Sequence, residues 1–414
     1  MNQLFVWVIA ACTILLILAG PRRIPEAVWA SSGAILLIVC RLISPRGALA
    51  AVGRGTDVYL FLTGMMVLAE LARREGFFDW VAVLAVEKAK GSPTRLFAIV
   101  YAVGTLVTIF LSNDATAVVL TPAVLAALKK ARARPLPYLL ICAFIANAAS
   151  FVLPISNPAN LVVYGSKMPA LAVWFRSFGL PSLVSIVATF MILRLCCRKN
   201  LARPIESRVE AVLLSRGGKL AAYGIGGAAA ALMIASAFDL DLGLPTLLAA
   251  MAATALVAIE DRRAPLGIVK HISWSVIILV AGLFVLVAAV DQAGVLAISQ
   301  EALRKAAAMG PVQASLSSAF GVALLSNIAN NLPVGLIAGS ALHGVPTAIR
   351  NAVLIGVDLG PNLSVSGSLA TILWLIALRR DGEDVSFWKF LQYGLLVMPV
   401  ALVLAVLASL VTGR

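Results

Sequence analysis

"LSNDATAVVLTP" (111–122) and "LSNIANNLPVGL" (325–336) are the two stretches on which the fold turns. Each interrupts an apolar run with Ser-Asn. The first adds a carboxylate, Asp114, in a region with no lysine or arginine between Arg95 and Lys129. A carboxylate at mid-membrane costs about 2.5–3.5 kcal/mol on insertion scales, and taking up a proton relieves that cost. A chain that keeps one there uses it for a structural bond or for chemistry.

The surrounding sequence reads as a membrane protein. Of 414 residues, 61% are hydrophobic and 13% charged, where a soluble chain carries about a quarter charged. The apolar runs reach the roughly 20 residues that a bilayer requires. In lipid the backbone must satisfy its own hydrogen bonds, so such runs become helices. The expected fold class is an all-α polytopic membrane protein with about ten transmembrane helices. They fall near 3–19, 26–43, 56–73, 136–165, 170–196, 218–237, 244–260, 273–291, 346–378 and 388–411. The segments 136–165 and 346–378 read as broken helices. The stretches at about 94–128 and 311–341 are too long for one clean helix and read as two re-entrant hairpins. The run "MNQLFVWVIAACTILLILAG" (1–20) lacks a basic n-region and reads as a first spanning helix, not a cleaved signal.

The net charge is +14. The basic residues lie between apolar runs and form no patch on a folded domain, so they read as topology signals and not as a nucleic-acid surface. With the N-terminus outside, most of the 33 Lys and Arg residues fall on the cytoplasmic side. They occupy Arg22 and Arg23, Arg73 to Arg95, Lys129 to Arg134, Arg198 to Lys219, Arg262 to Lys270 and Arg379 to Lys389. The outside keeps a smaller set that includes Arg54, Lys167, Arg304, Lys305, Arg350 and Arg414. The five cysteines make no CxxC pair, so neither a disulfide framework nor a zinc site is expected. His271 and His343 fall at predicted helix ends.

The chain also repeats itself. "DVYLFLTGMMVLAELARREGFF" (57–78) resembles "SVIILVAGLFVLVAAVDQAGVL" (275–296), with Gly64 matching Gly282 and Gly76 matching Gly294. "FVLPISNPANLVV" (151–163) matches "LGPNLSVSGSLAT" (359–371) more loosely. Each half holds an odd number of crossings, so the second is upside-down relative to the first, a pattern typical of transporters. The expected organisation is a first inverted repeat over 1–196, a basic cytoplasmic linker over 197–217, and a second inverted repeat over 218–414.

Four polar stretches break the apolar segments: Ser112-Asn113-Asp114, "NAASFVLPISNPAN" (147–160), "SNIANN" (326–331) and "GVDLGPNLSVSGS" (356–368). Asn, Ser, Gly and Pro unwind helices and free backbone groups. Free backbone at membrane depth survives only inside protein or along a cavity, where half-helix ends bind small polar ligands. The expected substrate-binding set is Ser112, Asn113 and Asp114; Asn147, Ser156, Asn157 and Asn160; Ser326, Asn327, Asn330 and Asn331; and Ser364 and Ser366. Asp114 and Asp358 are the only charged side chains in these regions and are the expected proton-coupling residues. Each has a plainer reading as well. Asp114 suits an N-cap for the helix after it, Asp358 a bond to unwound backbone, and the asparagines caps of broken helices. Asp57 reads as the cap of its own helix. Glu70 reads as a partner of Arg73 and Arg74. Cys142 suits a soft metalloid as thiolate and a core position as thiol.

These motifs resemble the ion transporter superfamily. Within it, "LSNDATAVVLTP", "NNLPVGLIAGSAL" (330–342) and "GVDLGPNLSVSGSLATILWL" (356–375) are similar to the arsenical pump membrane protein family over nearly the whole chain. That resemblance implies arsenite and antimonite as substrates, exported as neutral trihydroxides in exchange for protons. It implies a bacterial inner membrane, the proton-motive force in place of a cofactor, and in some members a soluble arsenite-stimulated ATPase as partner. The sodium–dicarboxylate branch shows Ser-Asn-Thr at both tips. Here Asp114 replaces the first threonine and the second tip reads Ser326-Asn327-Ile328, against a sodium–dicarboxylate site of the usual kind. The competing expectations are a sodium-coupled organic anion carrier and a passive metalloid channel. A membrane enzyme has no HExxH or GxSxG motif to support it.

Overall fold

The computed structural model describes residues 2–19, 24–165, 168–206, 212–261 and 266–412. Among them every regular element is helical. The charge assignments at Arg22, Arg23, Lys167, Arg208, Arg262, Arg263 and Arg414, and residues 207–211 of the expected linker, lie outside the described residues.

The first half begins with two apolar helices, α1 (Asn2–Ala19) and α2 (Glu26–Val39). Ser44 caps a short α3 (Pro45–Arg54), accepting from the N–H of Gly47, and Pro45 takes the first helical position, where no N–H is needed. Next come α4 (Thr56–Arg74) and α5 (Phe77–Ala89). The Ser92-capped α6 (Pro93–Phe110) stops at Leu111 and Ser112. The chain re-enters helix as α7 (Asn113–Ala115), a π turn (Thr116–Leu120) and α8 (Thr121–Lys130). Pro122 explains the π turn. It has no N–H to offer the carbonyl of Val118, one turn back, and beside it Thr121 Oγ1 donates to the carbonyl of Thr116 at 3.0 Å. α9 (Leu136–Ala148) then breaks before α10 (Pro158–Tyr164), and α11 (Leu171–Cys197) closes the half.

The described residues from 212 onward continue in helices. They run through α12 (Arg216–Ala237), α13 (Gly243–Asp261), α14 (Leu266–His271), α15 (Trp274–Gln292) and α16 (Val295–Ala307). α17 (Pro311–Ala329) and α18 (Asn331–Ala341) meet at Asn330. α19 (Thr347–Leu359) and α20 (Leu369–Arg380) flank two 3-10 turns, and α21 (Phe387–Thr412) ends the fold. The expected interruptions are all present. α3, α5, α14 and α16 fall outside the expected spans, because they are short or carry charge.

Packing is reciprocal between the halves. α4 packs on α13 and α15 on α2; α6 packs on α9 and α17 on α19; α11 and α21, each with an internal proline, pack on one another. The matched glycines sit at the crossings. A Cβ on Gly64 would stand 2.8 Å from the backbone of Leu247 in α13, and one on Gly282 would stand 2.9 Å from Ala30 in α2. The second matched pair turns the chain. Gly76 has φ 71° before α5, and Gly294 has φ 96° before α16, a conformation that costs glycine least.

Among the described residues seven helices are long and apolar enough to cross a membrane, or eight if the bent pair α3 and α4, meeting at 48°, is one span. α6 and α17, expected as first arms of hairpins, are among the seven. The expected cap at Asp57 lies elsewhere. Asp57 Oδ1 accepts from the N–H of Gly243 at 2.6 Å, so it holds the start of α13, not its own helix.

The glycine crossings give a stability test. Gly64→Ala and Gly282→Ala are expected to lower the melting temperature of the detergent-purified protein clearly. Gly227→Ala, where a Cβ meets nothing within 4 Å, is expected to leave it unchanged or raise it, because alanine is favoured over glycine in a helix by about 1 kcal/mol.

Candidate functional site

The four breaks converge. A small cavity is lined by Asn113 and Asp114, by Asn157 and Pro158, by Asn331 and Leu332, and by Leu369 and Ala370, so each break supplies a wall. Leu62 of α4 and Val276 and Val280 of α15 close it with apolar surface. Its volume is ≈ 10 Å³, about the room one water takes. Among the described residues no cationic side chain lines it.

Local structure explains each wall. Ser112 accepts from the N–H of Ala115 and is the cap of the helix that re-enters there. The expected capping role of Asp114 therefore falls to Ser112. Asp114 sits in the first turn, where a helix N-terminus favours negative charge. Its N–H donates to Asn113 Oδ1 at 2.9 Å, and its carboxylate makes no hydrogen bond or ion pair among the described residues. At the facing tip, Asn330 accepts from the N–H of Leu332 and caps α18. It does so with φ 70° and ψ 149°, a region that is nearly glycine's own. Asn331 follows it, buried, with no hydrogen bond on its amide among the described residues.

The other expected residues are spent on backbone. Asn327 donates to the carbonyls of Ala323 (2.7 Å) and Gly360 (2.9 Å), and its Oδ1 accepts from the N–H (3.0 Å) and Oγ (2.7 Å) of Ser364. Ser366 donates to the carbonyl of Asn327 at 3.0 Å. Asn160 donates to the carbonyls of Ser150, Leu153 and Pro154 and holds that loop. Ser156 donates to the carbonyl of Ile109. Ser326 donates back to Val322 within its own helix.

Two links bridge the broken helices. Asn147 donates to Asn362 Oδ1 at 3.0 Å and accepts from Ser368 Oγ at 3.3 Å. Asn157 caps α10, lines the cavity and donates to Asp358 Oδ1 at 2.7 Å. Asp358 is wholly buried, and its Oδ2 has no partner among the described residues. It thus stands one amide behind the cavity, out of direct reach of it. Asp114, Asn331 and the amide nitrogen of Asn113 are the polar groups left unused at the wall.

Several residues of this network were not expected. Asn362, Ser368 and Ser150 lie inside polar stretches that were recognised, but their roles depend on partners from a distant segment. Glu26 is a plainer omission. It lines a neighbouring cavity of ≈ 10 Å³ with Asn330, Leu332 and Leu369, the last two shared with the first cavity. An acidic residue opening an apolar helix was its only signal. Cys142 is fully buried in α9 and lines neither cavity.

Comparison with known proteins agrees with this architecture. The family model described as citrate transporter matches residues 13–357. The arsenical pump membrane protein of Escherichia coli (strain K12) is 28% identical over 96% of this chain and 96% of its own. The protein of that name from Yersinia enterocolitica is 27% identical over 84% of both. An uncharacterized transporter of Mycobacterium tuberculosis is 25% identical over 94% of both. The crystal structure of the Alcanivorax borkumensis YdaH transporter, described as having an unusual topology, matches with a TM-score of 0.56 at 15% identity, covering 88% of this chain and 86% of that one. At that identity the likeness is one of fold.

The two kinds of asparagine separate by stability. Asn327→Ala removes four hydrogen bonds and orphans buried backbone, and is expected to cost about 2–4 kcal/mol. Asn331→Ala breaks none and is expected to stay within about 1 kcal/mol of wild type. Thermal unfolding of the two purified variants, side by side, checks this.

Proposed function

The chain belongs to the citrate transporter family, and from that premise we propose that this multi-pass membrane transporter exports arsenite and antimonite, as neutral trihydroxides, in exchange for protons across a bacterial inner membrane. The observation that carries the reading is the cavity wall. It offers the amides of Asn113, Asn157 and Asn331 and one carboxylate, with no lysine, arginine or histidine. A trihydroxide is neutral and both donor and acceptor, so these groups can pair with it once the cavity, closed here to about one water, opens. A citrate or dicarboxylate would bring negative charge against Asp114 with no cation to offset it. The similarity to arsenical pump membrane proteins over almost the full chain supports the same choice.

Asp114 is the switch. Its carboxylate either accepts hydrogen bonds from the solute's hydroxyls or takes up a proton, and the two uses exclude each other. Asp358, held by Asn157, is the second proton site. A carboxyl with no neighbouring cation is electrically quiet only when it carries a proton, so its charge and the position of Asn157 move together. Sending out a neutral solute against one incoming proton moves one positive charge inward, and membrane potential adds about 2.3 kcal/mol per charge per 100 mV. A soluble ATPase docked on the basic inner loops would be an accessory to this cycle.

The family's description favours a second reading, a sodium-coupled carrier of citrate or another organic anion. Binding separates the two. The purified protein is expected to bind antimonite, and Asn331→Ala to weaken that binding by about tenfold, a lost charge-assisted or neutral hydrogen bond being worth about 1–2 kcal/mol. Citrate or succinate binding that requires sodium, with no antimonite binding, would replace this reading with the second.

A further inference from the structure

A much larger cleft lies near the site. It has a volume of ≈ 960 Å³ and is walled by α4, α10, α15 and α18 and by residues 240–245 before and within α13. The same four helices wall the small cavity, and on each the cleft begins within one turn of it. On α4 Leu60 and Val58 follow Leu62; on α10 the step is from Pro158 to Leu161; on α15, from Val280 to Phe284; on α18, from Leu332 to Leu336. One turn is about 5.4 Å. The cleft and the site are therefore neighbours, separated by one layer of side chains.

That layer is apolar and tightly packed. Val58 is 5% exposed, Leu161 2% and Phe284 7%, and Leu336 is half-buried. Phe284 stands edge-on to Tyr59, with ring centroids 6.0 Å apart. Beyond it the cleft turns polar, with Arg54, Asp57, Asp241, Asp291 and His343 along its walls. The sequence of layers is polar rim, apolar ring, polar cavity. A hydrated cleft stopped by a one-layer apolar constriction is a common form of gate. α4 runs towards the cavity from the cleft, and α15 runs away from it towards the cleft. The N-terminal end of α4 and the C-terminal end of α15 thus share one face, the one to which the charge bias assigns Arg54, Lys305 and Arg350, the outer face.

We propose that this cleft is the outer vestibule of the transport path, and that Val58, Leu161, Phe284 and Leu336 form the ring a solute must pass between it and the site at Asp114. The inference rests on the proposed transport reading for what passes. It does not rest on it for where the path runs. The ring sets the size of solute that leaves, and the rim, with three carboxylates against one arginine among the described residues, favours neutral and cationic solutes over anions.

Thiol modification tests the path directly. Exposed Cys12 and Cys40 are first changed to serine. Single cysteines are then placed at Ser340, on the cleft wall, and at Leu332, on the cavity side of the ring. Intact cells are treated with a membrane-impermeant quaternary-ammonium thiosulfonate, whose positive charge the rim admits. Ser340→Cys is expected to react rapidly from outside, and Leu332→Cys at least about tenfold more slowly, as packed side chains exclude the reagent. Adding Phe284→Ala to Leu332→Cys is expected to restore most of that rate. Ser340→Cys reacting only in inside-out vesicles, or Leu332→Cys reacting as fast as Ser340→Cys with the ring intact, would overturn the proposal. Arsenite flux measured in the same cells separates this outcome from failure of the transport reading, since the labelling pattern needs no substrate.

Discussion

A backbone N–H or C=O released from a helix inside a bilayer has no water to turn to, and that constraint governs this molecule. The chain releases such groups at four places. It then satisfies them with its own asparagines and serines, and the bonds cross long stretches of sequence. Asn327 ties the α17 tip to the break after α19. Asn147 and Asn362 tie the two broken helices together. Ser156 ties the first broken helix to α6. Without these links the unwound segments would be too costly to bury. With them, four helix ends are held around one small space.

The same constraint sorts the polar residues into two kinds. Those that satisfy backbone hold the site in shape and are fully occupied. Those that satisfy nothing, Asp114 and Asn331 above all, face the cavity. Asn157 belongs to both kinds, since it caps α10, lines the cavity and holds Asp358. A change in the charge of Asp358 is therefore felt at the wall through one amide. The glycine crossings supply the rigid part of the arrangement. Gly64 and Gly282 let α4 and α15 approach α13 and α2 closely, and those two helices carry the apolar walls of both the cavity and the cleft.

Much of this was legible in the sequence, and the limits have physical causes. Ser-Asn, Asn-Pro and Gly-Pro inside apolar runs announce broken helices because their local chemistry is strong. Gly64 and Gly282, matched in the sequence, both sit at close helix crossings. Hydrogen-bond partners across some two hundred residues were not legible. Asn327 and Asn331 look alike in "SNIANN", yet one is spent at both ends and the other is unused. Ser112 took the cap that Asp114 was equally suited to, and Asp57 reached a distant helix instead of its own. The short helices α3, α5, α14 and α16 escaped because hydropathy finds spans and passes over the charged or brief elements between them.

At the centre of the account stands one unpaired carboxylate beside neutral amides, in a cavity that four breaks build. In the proposed cycle the solute carries no charge, and a proton competes with it for Asp114. Arsenite accumulation in inside-out vesicles, with and without an imposed proton gradient, in wild type and Asp114→Asn, tests this most directly. The account predicts gradient-dependent accumulation in wild type and its loss in a folded Asp114→Asn protein. Accumulation in Asp114→Asn equal to wild type, with the same dependence on the gradient, would contradict it.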